Sequence, residues 1–81
     1  MYTIYAIKSE KDGRIYVGFS SDLERRLREH NAGYVKSTKG FVPWTLIYTE
    51  QVEERSEARA REKKLKSGYG KEFLKQQNIR G

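Results

Sequence analysis

Residues 2 to 8, Tyr-Thr-Ile-Tyr-Ala-Ile-Lys, place apolar or aromatic groups at both parities, the pattern of a strand covered on both faces. A central strand is expected there. Glu10-Lys-Asp-Gly13 is turn chemistry, and Arg14-Ile-Tyr-Val-Gly-Phe19 reads as a second strand, so the two should form an antiparallel hairpin. Any loop with an even number of residues puts Tyr5, Tyr16 and Gly18 on one face of that hairpin.

Ser21-Asp-Leu-Glu24 has the spacing of a capping box, with Ser21 as N-cap, and predicts a helix from about Asp22 to about His30. Leu23 and Leu27 mark its apolar stripe, with Arg26 at the edge and His30 beside it. Asn31-Ala-Gly33 should end the helix. The stretch from Tyr34 to Val42 has no period, and loops of this length in small domains commonly carry function. Trp44 to Thr49 alternates as a third strand, with Pro43 at its start because proline cannot donate to a ladder. Ser56 is expected to open a second helix that Gly68 closes, with Ala58 and Leu65 on its apolar face and Glu62 between them. Gly70 to Gln77 should form a short third helix docked through Phe73 and Leu74.

Composition narrows what this α+β arrangement can do. The 81 residues fit one domain, 1–81, with 36% hydrophobic and 35% charged residues, so its core depends on well-placed aromatics. The absence of cysteine excludes disulfides, thiolate metal sites and a cysteine nucleophile, and a single histidine excludes clustered histidine sites. No apolar run suits a membrane span, and the start of the chain does not read as a signal peptide, so a cytoplasmic location is expected. The net charge of +6 points to a polyanionic partner. The positive charge gathers at the end, where residues 61 to 81 hold seven basic and two acidic residues.

Arg26, His30 and Glu62 stand where packing alone would favour apolar groups. One explanation is an ion pair between the helices, Arg26 or His30 meeting Glu62, because an unpartnered buried charge costs several kcal/mol. The other is a site: a carboxylate for a divalent metal, an arginine for phosphate charge, and tyrosines on the adjoining sheet face. Taken singly, each of these residues is commonplace: tyrosines fill cores, a glycine marks a bulge, and a Lys-rich helix face is usually solvated.

Their joint order resembles the GIY-YIG nuclease family, and in particular small stand-alone bacterial members related to the N-terminal nuclease module of the excinuclease C subunit. The matching pieces are Thr3-Ile-Tyr5, Tyr16-Val-Gly18 with the run to Asn31, Lys36-Ser-Thr-Lys39, Pro43-Trp44 and Arg61 to Gly68, within roughly residues 2 to 75. The resemblance implies a small three-stranded antiparallel sheet flanked by helices. It makes Tyr5, Tyr16, Arg26, His30 and Glu62 the catalytic set, with Glu62 holding Mg²⁺ or Mn²⁺. Gly18, Lys36, Thr38, Lys39 and Lys63 are then expected along the nucleic-acid face. Thr3 stands where the first motif has Gly, and the Asn that many family nucleases carry after the metal-site helix has no secure counterpart, Asn78 lying in a weakly patterned tail.

The implied activity is metal-dependent hydrolysis of DNA phosphodiester bonds, structure-dependent or weakly specific, in a DNA-repair setting. A protein partner would supply target choice, since so short a chain leaves no room for a separate targeting module. The rival is a non-catalytic DNA- or RNA-binding module that keeps the fold. If the site reading holds, the tyrosine hydroxyls should lie near an exposed concave surface shared with Arg26 and Glu62.

Overall fold

The computed structural model describes residues 1–77, and Asn78 lies outside the described residues. Strands β1 (Tyr2–Ser9), β2 (Ile15–Ser20) and β3 (Trp44–Val52) form one antiparallel sheet in the order β2-β1-β3. The doubly apolar strand takes the centre, and Ile4, Tyr5, Ala6 and Ile7 are all buried. The hairpin pairs Tyr5 with Gly18 and Ile7 with Tyr16, so Tyr5, Tyr16 and Gly18 share a face as the even loop requires.

Helix α1 (Leu23–Asn31) covers that face, where Tyr5, Ile7 and Trp44 pack with Tyr16, Leu23 and Leu27. The opposite face carries α2 (Arg55–Lys66) and α3 (Gly68–Gln77) over Ile4, Ala6, Val17, Ala58, Leu65 and Leu74. Phe73 meets Tyr48 edge-on with ring centres 5.4 Å apart, so α3 docks through the two residues expected. Full burial of Leu74 is worth roughly 1.5–3 kcal/mol.

The helix ends differ from expectation. Asp22, not Ser21, caps α1, its Oδ1 accepting from the Arg25 amide at 3.1 Å. This cap places a carboxylate at the positive end of the helix and moves Glu24 out of capping-box register. Helix α2 starts before Ser56: the Glu54 amide donates to Glu57 Oε1 at 3.2 Å. Gly68 does not close α2, because Ser67 does so and Gly68 already belongs to α3. Both ends are served by the Ser67 hydroxyl, which donates to the Lys64 carbonyl at 2.6 Å and accepts from the Gly70 amide at 3.3 Å.

The aperiodic stretch becomes turns and a single 3-10 turn, Lys39–Phe41, ahead of a cis Val42–Pro43 bond. Asn31 ties this stretch down. Its Oδ1 accepts from the Trp44 amide at 2.6 Å and its Nδ2 donates to the Trp44 carbonyl at 3.3 Å, fastening the end of α1 to the start of β3. The Trp44 indole donates to the Thr38 carbonyl at 3.0 Å.

Candidate active site

On the face between the sheet and α1, three aromatic rings meet. His30 lies 5.7 Å from Tyr5 and 5.1 Å from Tyr16 between ring centres, and the two tyrosine rings are 6.5 Å apart. Strand register brings the tyrosines together, and α1, held at its end by Asn31, swings His30 over them.

His30 has no solvent exposure and both of its nitrogens are engaged. Nε2 is 2.8 Å from the Tyr5 hydroxyl and Nδ1 is 2.8 Å from Thr38 Oγ1. The direction of these bonds follows from the last link. The Val35 carbonyl can only accept, so the Thr38 hydroxyl donates to it at 3.4 Å. Thr38 then accepts from His30 Nδ1–H, which leaves Nε2 free to accept the Tyr5 proton.

Burial pushes the Tyr5 hydroxyl up to about 12, against the pull of the neighbouring Arg26 guanidinium, which favours the phenolate. Burial likewise pushes His30 down to about 4, helped by the Arg26 charge and opposed by Glu29. At neutral pH the pair is therefore a protonated phenol donating to a neutral imidazole. Arg26 is held charged chiefly by Glu29, which accepts from its Nη1 at 3.0 Å.

Gly18 shapes the space above Tyr5. A Cβ at this position would lie 2.8 Å from the Tyr5 hydroxyl oxygen and 3.2 Å from a Tyr16 ring carbon. Only a residue without a side chain leaves that hydroxyl its room.

Glu62 approaches from the other layer, over the free edge of β2. Its carboxylate pairs with Lys66 Nζ at 3.1 Å, and Lys66 Nζ lies 6.0 Å from the centre of the Tyr16 ring. Glu62 is near enough to add to the upward pressure on the Tyr5 hydroxyl. The ion pair between helices that the sequence allowed is not formed: Arg26 meets Glu29, His30 meets Tyr5 and Thr38, and Glu62 meets Lys66.

Three expectations need correction. Tyr5 is 1% exposed, so its hydroxyl is closed in over Gly18 rather than lying at an open rim, whereas Tyr16 is half-buried. Thr38 has no exposure and cannot meet a phosphate, because its hydroxyl is consumed in orienting His30. Gly18 is buried under the tyrosine rings, so its contribution is clearance rather than contact with nucleic acid. Lys36, Lys39 and Lys63 are exposed. The role of Thr38 had no signal in its neighbourhood, since the loop has no period. Lys66 could have been found from its position four residues after Glu62 on one helix.

A divalent cation has one carboxylate to bind here, and no group of three or more His, Cys, Asp or Glu side chains converges among the described residues. That donor set suits a hard cation that keeps most of its waters and takes further oxygens from a phosphate. No described helix is long and apolar enough to cross a membrane.

Residues 1–78 match the GIY-YIG catalytic domain family. The chain is similar to a UPF0213 protein of Halobacterium salinarum, 43% identical over 67 residues that span 82% of this chain and 86% of that one. A UPF0213 protein of Staphylococcus saprophyticus is 40% identical over 73 residues, 89% of this chain and 88% of that one. Among solved structures, the solution NMR structure of a UPF0213 protein from Bacillus halodurans matches with a TM-score of 0.58 and 30% identity, covering 96% of this chain and 86% of that chain. The likeness agrees with the three-stranded antiparallel α+β fold expected from the sequence.

Proposed function

Because the chain belongs to the GIY-YIG family of nuclease domains, we propose that it is a divalent-metal-dependent endonuclease that hydrolyses phosphodiester bonds in DNA, acting on structure or with weak sequence preference. The observation that carries this reading is the buried chain from Tyr5 through His30 to Thr38, set beside Arg26. A tyrosine held fully protonated can act as a base if it passes its own proton onward as it takes another. His30 Nε2 is the acceptor at 2.8 Å.

In this mechanism the Tyr5 hydroxyl, buried in the resting structure, is uncovered as the substrate binds, and a water beside it attacks phosphorus. Its proton goes to the Tyr5 oxygen while the Tyr5 proton moves to His30 Nε2. The P–O bond opposite the water breaks, the leaving oxygen takes a proton from solvent, and the relay returns its own to solvent. Arg26 turns from Glu29 to the phosphate and stabilises the charge that develops there. Tyr16 stands beside His30 on the same face. Glu62 would hold Mg²⁺ or Mn²⁺. Such an ion supplies Lewis-acid stabilisation of phosphate charge.

The pairing of Glu62 with Lys66 favours a second reading, a DNA- or RNA-binding module that keeps the fold without hydrolysis. One experiment separates them. Duplex, nicked, flapped and branched DNA, with RNA counterparts, are incubated with Mg²⁺, Mn²⁺ or chelator, using the wild-type protein and Glu62→Gln. The substitution removes one partly exposed ion pair, worth about 0.3–0.5 kcal/mol, so the variant should stay folded. The nuclease reading expects metal-dependent cleavage by the wild type and none by the variant. Binding without cleavage of any substrate would establish the module instead.

A further inference from the structure

Away from the aromatic cluster, the free edge of β2 is followed by an unusually basic groove. Near the candidate site, a cavity of about 350 Å³ is lined by Ile15, Tyr16, Val17, Lys66 and Lys71. It adjoins a second cavity of about 540 Å³, lined by Lys8, Gly13, Arg14, Ile15, Lys71 and Lys75. Ile15 and Lys71 line both, so the two lie side by side along the surface from Tyr16 to the turn of the hairpin. Neither is lined by an acidic residue. Carboxylates meet the lining cations from outside: Glu62 pairs with Lys66 at 3.1 Å, Asp12 with Arg14 at 2.8 Å, and Glu72 lies 3.8 Å from the exposed Lys75, so Lys8 and Lys71 are the lining cations without an acidic partner among the described residues.

The placement of these cations follows from packing. Lys8 pairs with Ile15 in the hairpin, and Lys71 and Lys75 fall one helical turn apart on α3. Gly70 sets the position of that helix. A Cβ there would run into the Leu65 backbone, so α3 can press against the end of α2 only with glycine at this point. Strand β2 is paired on one side only, so the other edge of its backbone is free within the sheet.

We propose that this groove carries a single-stranded stretch of the DNA phosphate backbone leading away from the candidate site past Tyr16 and Lys66. The inference rests on the nucleic-acid reading of the site and adds the path and form of the substrate. Cavities of this size take nucleotide-sized ligands, whereas a duplex needs a broad open face. Four cationic residues along an apolar floor at Ile15 match a strand that offers phosphates outward and a base inward.

The test uses the full chain in chelator, so that binding is read without cleavage. Labelled DNA is offered as a short duplex with a single-stranded tail and as the same duplex with blunt ends, over a range of salt. Lys71→Gln/Lys75→Gln is compared with Arg28→Gln/Arg59→Gln, which removes equal charge from exposed positions on α1 and α2. The groove variant should flatten the dependence of log affinity on log salt for the tailed substrate by about 1.4, from about 0.7 for each lost single-strand contact. It should weaken tailed binding about 25-fold at 0.1 M salt, to near the blunt value. The control should keep the advantage of the tail.

Equal losses in both variants would reduce the groove to net charge, and equal losses on the blunt duplex would make its ligand double-stranded; either overturns the proposal. Unchanged affinity with new self-association of the groove variant would do so too, assigning the lysines to protection of a strand edge. The nuclease reading fails separately. If the tail effect depends on Lys71 and Lys75 but no substrate is ever cut with metal present, the groove stands and the enzyme does not. Cleavage with normal binding by the groove variant gives the reverse.

Discussion

Replacing Thr38 by Val keeps the outline of the side chain and removes its hydroxyl. In the native fold that hydroxyl accepts from His30 Nδ1 at 2.8 Å and donates to the Val35 carbonyl at 3.4 Å, with neither Thr38 nor His30 exposed. With Val at this position, either Nδ1–H has no acceptor or the ring changes tautomer and confronts the Tyr5 hydroxyl with an N–H. Each outcome forfeits a buried hydrogen bond, at a cost of about 1–3 kcal/mol. For a domain of this size that is a fall of roughly 5–20 °C in Tm. Thr38→Ser keeps the hydroxyl and loses one methyl, worth about 0.8 kcal/mol, so it should melt above the Val variant. Thermal denaturation measures the order. ¹⁵N chemical shifts of the imidazole should show the Nδ1-protonated tautomer in the wild type and a changed ring in Thr38→Val. Apolar packing alone predicts the opposite order, with Val at or above wild type and Ser lowest. That order, or a wild-type ring protonated at Nε2, would refute the relay as oriented here.

His30 makes stability depend on pH in a definite window. Its native value near 4 lies below its ordinary 6.5, so the unfolded chain takes up a proton that the fold refuses. Stability is therefore full above pH 6.5 and falls as pH drops toward 4, by at most about 1.4 kcal/mol per pH unit. Urea denaturation at a series of pH values should show this slope, and His30→Gln should flatten it. Gly18→Ala should drive its Cβ against the Tyr5 hydroxyl, lowering stability as overpacking does, by about 1–3 kcal/mol, and suppressing any cleavage more than it lowers DNA affinity. Lys36→Ala/Lys39→Ala removes two exposed charges from the loop beyond α1 and should weaken duplex binding evenly across sequences. Its slope against log salt should fall by about 1.8, measured by fluorescence anisotropy.

Much of the architecture was legible in local pattern. The central position of β1 follows from apolar groups at both parities, and the shared face of Tyr5, Tyr16 and Gly18 follows from period-two geometry across an even turn. Leu74 and Phe73 announced α3 because they are adjacent large apolar residues in an otherwise mostly polar stretch. Helix ends were less secure, since several adjacent residues can cap. Asp22 prevailed over Ser21, and Glu54 with Glu57 began α2 before Ser56, choices made by small electrostatic and hydrogen-bond differences.

The site was legible as a set of residue types in order, and much less as a set of contacts. Sequence placed Arg26, His30 and Glu62 near apolar stripes but could not choose their partners, because Glu62 comes over the sheet edge and Thr38 arrives from an aperiodic loop. Only tertiary packing withdraws Tyr5 from water, lowers His30 by burial, and spends the Thr38 hydroxyl inside the protein. The basic groove has the same origin: the pair Lys8 and Arg14 lies far in sequence from the pair Lys71 and Lys75, and the two become one surface because Gly70 lets α3 close on α2 beside the hairpin. Local spacing determines which face of its own element a side chain occupies. Which faces meet, and so which charges and hydroxyls are left for chemistry, is decided by the way the layers close.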